Sequence, residues 1–447
     1  MLNAHTIQQA CRGQWQGDPP LNIGRICTDS RNIQAGDTFL ALRGPHFDGH
    51  AFAAQLADRA GVLIGDHAGV ATWHGLNLPI LVVEDTLQAL ADIAQAQRNQ
   101  LAHCCVIAIT GSYGKTTVRA MLNHAFTRLG VRVAATIANN NNLIGVPQTL
   151  LAIPAESDVA LVECGISEQG EMPRLAAMVA PDLAVLTGVC LAHGAGLGTA
   201  HDIATEKLRL LKAIRGSEQG IIGAGVRPHL SDAHEVFDAE KDGVQWSLEG
   251  TQCCLQWHGE TATIRLPLPA RHWAQNMALA ATVMQRWATT VQRKLSLAEI
   301  ATALDGWQAV KQRMQSLNLA DGRLLLDDAY NANPASMQAA LDTLRALPST
   351  RLAILGDMAE LGASSDEVHR ALDVHGIEHV LLIGDKMQAL AAVAPRAQWF
   401  ADTQAAAHWL LHSPSIKAQT ILVKGSRCMH LEHIVTLLHQ QEAAHAL

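Results

Sequence analysis

Thr110-Gly111-Ser112-Tyr113-Gly114-Lys115-Thr116-Thr117 puts glycines, a lysine and hydroxyls into one short stretch, a combination suited to holding a polyphosphate. Glycines let successive backbone N–H groups converge on phosphate oxygens, and a following helix N-terminus adds its positive dipole end. Lys115 would reach the β- and γ-phosphates, and the Thr116 hydroxyl would ligate Mg²⁺. The alternative is an ordinary Gly-rich turn that carries a lysine. Ile109 stands where a full phosphate loop has its first glycine, so the motif is a shortened form. A second candidate is Glu163, which ends the apolar run Val159-Ala160-Leu161-Val162. A parallel strand presents its last residue to the ligand crevice, and a hard carboxylate there suits Mg²⁺. Its alternative is a strand-end surface acid.

These residues need a strand before the loop and a helix after it. Cys105–Thr110 is an apolar, β-rich run suited to burial on both faces, and the pattern over Val118–Leu129 is helical. Further strands are expected at Val131–Ala135, Val159–Glu163, Leu183–Thr187 and Gly220–Ile222, with helices between several of them. Such alternation predicts a parallel sheet covered on both faces. Upstream, short strands are expected at Ile23–Asp29, Thr38–Leu42, Val62–Ile64 and Ile80–Val83, with a helix over His50–Ala60 and another over Thr86–Leu101. Downstream, Arg323–Asp327, Leu352–Leu355, Val380–Ile383 and Ile421–Val423 alternate with Ala/Leu-rich helices, predicting a further, smaller α/β unit.

The 447 residues suggest about three domains, at roughly 150 residues each. The chain is 49% hydrophobic and only 17% charged, which excludes wholesale disorder. Thirty-three Lys+Arg against 41 Asp+Glu give a net charge of −8, which argues against a nucleic-acid or anionic-membrane binder. The nine cysteines are odd in number and form no CxxC, so most of them read as small buried hydrophobes in a reducing compartment. The first residues lack the pattern of a signal peptide, and the uncharged stretch Leu183–His201 is too rich in glycine for a membrane helix. A cytoplasmic location is expected.

The shortened loop resembles that of the ATP-dependent Mur ligases and folylpolyglutamate synthetases. Further stretches resemble the Mur ligases of peptidoglycan synthesis, and more narrowly those that add D-alanyl-D-alanine. Asp327-Asp328-Ala329-Tyr330-Asn331-Ala332-Asn333-Pro334 is the most specific of them. The others are Leu355-Gly356-Asp357-Met358-Ala359-Glu360-Leu361-Gly362, Lys424-Gly425-Ser426-Arg427 and Asn139-Asn140-Asn141-Asn142-Leu143-Ile144-Gly145-Val146-Pro147. At the front stand Asp29-Ser30-Arg31 and Phe47-Asp48-Gly49-His50.

The resemblance implies three α/β domains: 1–84 binding a UDP-N-acetylmuramoyl (UDP-MurNAc) substrate, 85–310 binding ATP behind a linker helix over 85–101, and a Rossmann-like 311–447. It implies transfer of the ATP γ-phosphate to the carboxylate of UDP-MurNAc-tripeptide, then attack by the amine of D-Ala-D-Ala. A monomer is expected, with neither nucleic acid nor membrane as partner. By the same resemblance Thr116, Glu163, His193 and Lys207 would serve the metal, with Lys207 carbamylated by CO₂. Asn276 would contact adenine, although Trp273 stands where the family has another Asn. Arg313 would reach the γ-phosphate and Asp328 the ribose. Asp29, Ser30, Arg31, Asp48, Gly49, His50, Asn139, Asn142, Tyr330, Asn331, Asn333 and Lys424 would serve the substrates. For Lys207 a helix-surface lysine is the alternative, and Tyr113 reads as a loop variant.

Three other functions compete. Another Mur ligase or a folylpolyglutamate synthetase would share the loop, but relatives adding single amino acids usually carry a different stretch at Tyr330–Pro334. A P-loop ATPase or kinase is opposed by Ile109 and by the lack of an HRD catalytic loop. A non-catalytic relative is opposed by the intact Lys115, Thr116, Glu163, Lys207 and Asp328.

Overall fold

The structure, a computed structural model, describes residues 2–191, 194–216, 220–231, 235–348, 350–412, 416 and 418–445. Three α/β units follow one another along the chain. The first is a five-stranded sheet of β1 (Gln14–Gln16), β2 (Ile26–Cys27), β3 (Thr38–Leu40), β6 (Val62–Asp66) and β7 (Ile80–Val83) in the order β1-β7-β6-β3-β2. Only the edge strand β1 runs antiparallel. A small hairpin, β4 (Arg43–Gly44) with β5 (Phe47–Asp48), projects beside it. The helix expected over His50–Ala60 is instead a 3₁₀ turn, Gly49–Phe52, and a single helical turn, Ala53–Leu56.

The central sheet is parallel throughout. Its strands are β8 (Cys105–Thr110), β9 (Val133–Ala135), β10 (Val159–Glu163), β11 (Leu183–Leu186), β12 (Gly220–Ile222) and β13 (Val236–Asp238), ordered β13-β12-β11-β8-β10-β9. The two-residue strand period divides each strand between two cores. Cys105, Ile107 and Ile109 face the helices Lys115–Arg128 and Arg271–Thr290, while Val106 and Ala108 face Glu171–Val179 and Ala200–Leu211. Burial on both faces explains why these strands read as unbroken apolar runs.

A three-stranded antiparallel meander of β14 (Gln245–Glu249), β15 (Gln252–Trp257) and β16 (Glu260–Arg265) then packs on the same core. It lies outside the strands expected above, although β14 and β15 alternate inward and outward residues as a half-buried sheet must. The last unit holds β17 (Gln315–Asn318), β18 (Leu324–Asp328), β19 (Arg351–Gly356), β20 (His379–Ile383), β21 (Gln398–Phe400) and β22 (Thr420–Lys424), ordered β17-β18-β22-β19-β20-β21. All pairs but β17–β18 are parallel. The edge strands β17 and β21 are also additions to the four expected, being short and only partly buried.

The linker helix Thr86–Gln100 packs Ala91 and Ala94 into the core of the central unit, and Gln95 Nε2 donates to Ala177 O (2.7 Å). Its most deeply buried polar tie is Arg98. Arg98, fully buried, donates from Nε to Val179 O (3.0 Å) and from Nη2 to Ala180 O (2.9 Å) and Asp182 Oδ2 (2.8 Å). The guanidinium thereby closes the carbonyl end of the helix Glu171–Val179, where orphan C=O groups and the negative dipole end favour a cation. Arg98→Ala is expected to destabilise the chain by about 3 kcal/mol, because it takes the donor from the Val179 and Ala180 carbonyls and leaves Asp182 only the Val106 N–H. A denaturant midpoint equal to that of the parent chain would show that water replaces the guanidinium.

Candidate active site

The loop after β8 is shaped by backbone that only glycine tolerates. Gly111 has φ +152°, and a Cβ there would stand 2.1 Å from Thr187 Oγ1. Gly114, at φ +81°, caps the helix that begins at Lys115. The Thr187 hydroxyl, at the exit of β11, donates to Tyr113 O and ties the loop to the neighbouring strand. The Tyr113 ring lies over Gly188, filling the space that a side chain there would need. Lys115 Nζ folds back to Gly111 O at 2.6 Å. Burial lowers its pKa below the usual lysine value, the Glu163 carboxylate opposes this, and the Arg313 charge adds to the lowering.

Glu163 is 1% exposed, so it is no surface acid. The Thr116 hydroxyl donates to both carboxylate oxygens at 3.1 Å. Asn141 Nδ2 donates to Oε1 (3.0 Å) and Arg119 Nε to Oε2 (3.3 Å). The last two were not singled out from sequence. Arg119 lies one turn beyond Lys115 on the same helix, which was the available signal. Asn141 sits between the expected Asn139 and Asn142. It reaches Glu163, whereas Asn142 Oδ1 accepts from Gly145 N (2.9 Å) at the start of the next helix and Asn139 is exposed.

Lys207 is 2% exposed, on the inner face of the helix Ala200–Leu211, which removes the helix-surface alternative. Its pKa is lowered to about 7, first by burial and then by the Lys115 charge, with Cys190, Cys164 and Glu206 opposing. Its neighbour Glu206 serves the fold, accepting from Gly170 N (2.8 Å) and Met172 N (3.3 Å). His193 lies outside the described residues.

The last unit closes the cleft. The Arg313 guanidinium stacks 4.2 Å above the Tyr330 ring. Asp328 accepts from Met314 N (3.0 Å) and from Lys424 Nζ (2.7 Å), and Lys424 also donates to Asn331 O (2.9 Å). Lys424 is 2% exposed, so its ammonium is spent on holding these loops together. Asn333 Nδ2 crosses to Ser112 O on the phosphate loop, at 3.2 Å. Asn276 Oδ1 also faces that loop, 3.3 Å from where a Cβ on Gly114 would be. Trp273 points away, edge-on to Trp307 in the core with ring centroids 5.2 Å apart. Beside it, burial and then the Lys424 charge push the pKa of His272 down to about 4.

In the first unit Asp29 accepts from Arg31 N (3.0 Å) and Nε (2.9 Å), with Ser30 between them in an exposed 3₁₀ turn. Asp48 Oδ1 accepts from His50 N (3.0 Å) and lies 2.6 Å from Nδ1, which leaves Gly49 buried in the turn. Asp66 N donates to His50 Nε2 (3.1 Å), so Nε2 is the accepting nitrogen and Nδ1 is the one turned to Asp48. His50 is 3% exposed and braces this turn from inside. Gln148 Nε2 reaches Thr28 Oγ1 (2.5 Å), joining the first unit to the central one.

Three family descriptions match the chain: Mur ligase family, catalytic domain over residues 22–98; Mur ligase middle domain over 109–284; and Mur ligase, glutamate ligase domain over 312–427. The chain is 34% identical to the UDP-N-acetylmuramoyl-tripeptide–D-alanyl-D-alanine ligase of Escherichia coli (strain K12), with 96% of each chain covered. It is 31% identical to the enzyme of the same name from Bacillus subtilis (strain 168), with 92% of each covered. A crystal structure of MurF from Acinetobacter baumannii superposes with a TM-score of 0.86 at 30% identity, covering 98% of both chains.

Proposed function

The chain belongs to the Mur ligase family, and from that premise we propose that it joins D-alanyl-D-alanine to UDP-MurNAc-tripeptide at the expense of ATP. The observation that carries this reading is the convergence of Lys115, Thr116, Glu163 and Lys207 on one cleft, in a chain that matches such ligases over nearly its whole length. The tripeptide carboxylate attacks the γ-phosphorus of ATP; a P–O bond forms as the bond to ADP breaks, giving an acyl phosphate. The dipeptide amine then adds to the acyl carbon, the resulting oxyanion collapses, phosphate leaves and one proton is lost from nitrogen. Both substrates of the first step are anions, so the central demand is positive charge in a water-poor site.

Lys115 supplies that charge from the loop, and Arg313 supplies more from the last unit, oriented by the Tyr330 face. The Thr116 hydroxyl and the Glu163 carboxylate are hard oxygen donors brought together in a buried place, and they would hold Mg²⁺. Mg²⁺ held there would neutralise phosphate charge. The lowered pKa of Lys207 supplies the neutral amine that carbamate formation requires; its lone pair forms an N–C bond to CO₂ and one proton is released. The carbamate would add anionic oxygen donors to the cleft, and by the family resemblance His193 would serve the metal as a neutral nitrogen donor. Asn276 faces the loop from the side where adenine would lie, and the first unit would bind the UDP end through its Asp29–Arg31 and Asp48–His50 turns. Among the described residues no helix is long and apolar enough to cross a membrane, and we take the enzyme to act as a cytoplasmic monomer.

Glu163→Gln keeps acceptors for Asn141 and Thr116 but removes the charge. It is expected to weaken Mn²⁺ binding, followed by electron paramagnetic resonance with ADP present, at least tenfold. Unchanged affinity would take Glu163 out of the metal site.

Phosphate release from ATP and Mg²⁺ tests the function itself. It should require both UDP-MurNAc-tripeptide and D-Ala-D-Ala, with a pentapeptide product by mass. Release with a single amino acid, or with folate and glutamate, would move the chain to another ligase of this chemistry. Release with no acceptor would make it an ATPase.

A further inference from the structure

Asn333 is occupied at both ends of its side chain, although the motif that contains it suggested a substrate contact. It caps the helix Pro334–Arg345: Oδ1 accepts from Ser336 N (2.9 Å), and its own N–H donates to Ser336 Oγ (3.1 Å). Because Oδ1 must face that backbone N–H, the orientation of the amide is fixed by chemistry. Nδ2 is left facing Ser112 O, 3.2 Å away and in another unit of the fold.

Ser112 is held on its remaining sides by the chain leaving β11. Its N–H donates to Gly188 O (2.8 Å) and its hydroxyl to Cys190 O (3.1 Å). The peptide between Ser112 and Tyr113 is planar and trans, so its C=O and N–H point in opposite directions. A carbonyl held toward Asn333 therefore turns the Tyr113 N–H away from Asn333. Flipping this peptide would exchange the two, presenting a carbonyl oxygen where the loop otherwise offers a donor. An anion-binding loop depends on consecutive N–H groups facing the anion, and one reversed peptide would oppose binding.

We propose that Asn333 is a positioning residue, reaching across from the last unit to hold the phosphate loop in its anion-accepting form. The contact links two events. Docking of the last unit steadies the loop, and by reciprocity an occupied loop steadies the docked helix cap. The proposal rests on the ligase reading and refines it, assigning Asn333 to the nucleotide side of the reaction through the loop rather than to the dipeptide.

Two variants separate the capping role from the crossing contact. Serine and aspartate both cap helices about as well as asparagine, so Asn333→Ser and Asn333→Asp should keep the thermal midpoint within about 2 °C. Serine is too short to reach Ser112 O, and aspartate cannot donate to it. Calorimetry should show ADP bound about three- to tenfold more weakly by Asn333→Ser, the size expected for one hydrogen bond. Asn333→Asp, with an anion facing a carbonyl, should lose more than tenfold. The KM for ATP should rise by similar factors while the KM for UDP-MurNAc-tripeptide holds. An unchanged ADP affinity in both variants overturns the proposal, and a change confined to the KM of D-Ala-D-Ala returns Asn333 to the dipeptide. If both variants unfold, hydrogen exchange on the unaltered chain decides. ADP should increase protection in the first turn of Pro334–Arg345, and no increase overturns the link. Failure of the parent chain to bind ADP, or undiminished binding by Lys115→Ala, would bring down the phosphate-loop reading itself.

Discussion

Lys115→Ala is expected to lower turnover by about three orders of magnitude or more while the fold survives. The ammonium sits within 2.6 Å of Gly111 O, at the start of a helix whose first turn also presents Thr116. Removing a preorganised charge from a site where negative charge accumulates costs about 10²–10³ in rate for a single donor. Here two anions must meet, so the upper end of that range or beyond is expected. Stability should change little, because burial already disfavours the charged lysine and truncation relieves that cost. Phosphate release and ADP calorimetry on the same preparation measure both effects. Turnover within tenfold of the parent chain would remove the loop from the reaction.

Lys207→Ala should be nearly as damaging, for a different reason. An ordinary lysine is roughly 0.04% neutral at pH 7, too little to capture CO₂ well. A pKa lowered to about 7 makes roughly half of the amine neutral at that pH. Raising the pH through about 7 increases the neutral fraction and so the carbamate, and lowering it reprotonates the amine and releases CO₂. Labelled bicarbonate should give a carbamate signal in the parent chain that grows over this interval and is absent from Lys207→Ala. Turnover of that variant should fall by about three orders of magnitude and recover in part with formate or acetate, which can occupy the vacated space as anions. Wild-type rates without added carboxylate would dispose of the carbamate.

These two lysines also show how unevenly the site could be read from the chain. Lys115 is legible because its chemistry is local: strand, glycines, lysine and helix follow in register, and each part constrains the next. Lys207 is not. Nothing in Thr205-Glu206-Lys207-Leu208 separates a buried amine from a surface one, and its sequence neighbours Glu206 and Arg209 form an ion pair at 3.1 Å that would suit either. Burial against the central sheet, with Lys115 facing it, sets its pKa, and those neighbours are distant in sequence.

Sequence by itself determined five of the six strands of the parallel central sheet, because strands buried on both faces must be apolar throughout; the partly buried edge strand β13 lies outside the strands expected. Sequence also determined the phosphate loop, because converging N–H groups need glycines at fixed spacing. Short or half-exposed strands such as β1, β17 and β21 carry too few apolar residues to stand out, and only their pairing partners define them. Tertiary structure alone decided which motif residues face the cleft. His50 and Lys424 come from motifs that suggest substrate contacts, yet both are buried because their polar atoms complete hydrogen bonds inside their own units. Asn141 and Asn333 emerge for the opposite reason. Each makes a hydrogen bond to a residue far along the chain, Glu163 and Ser112, and a partner that only folding brings near leaves no trace in local spacing.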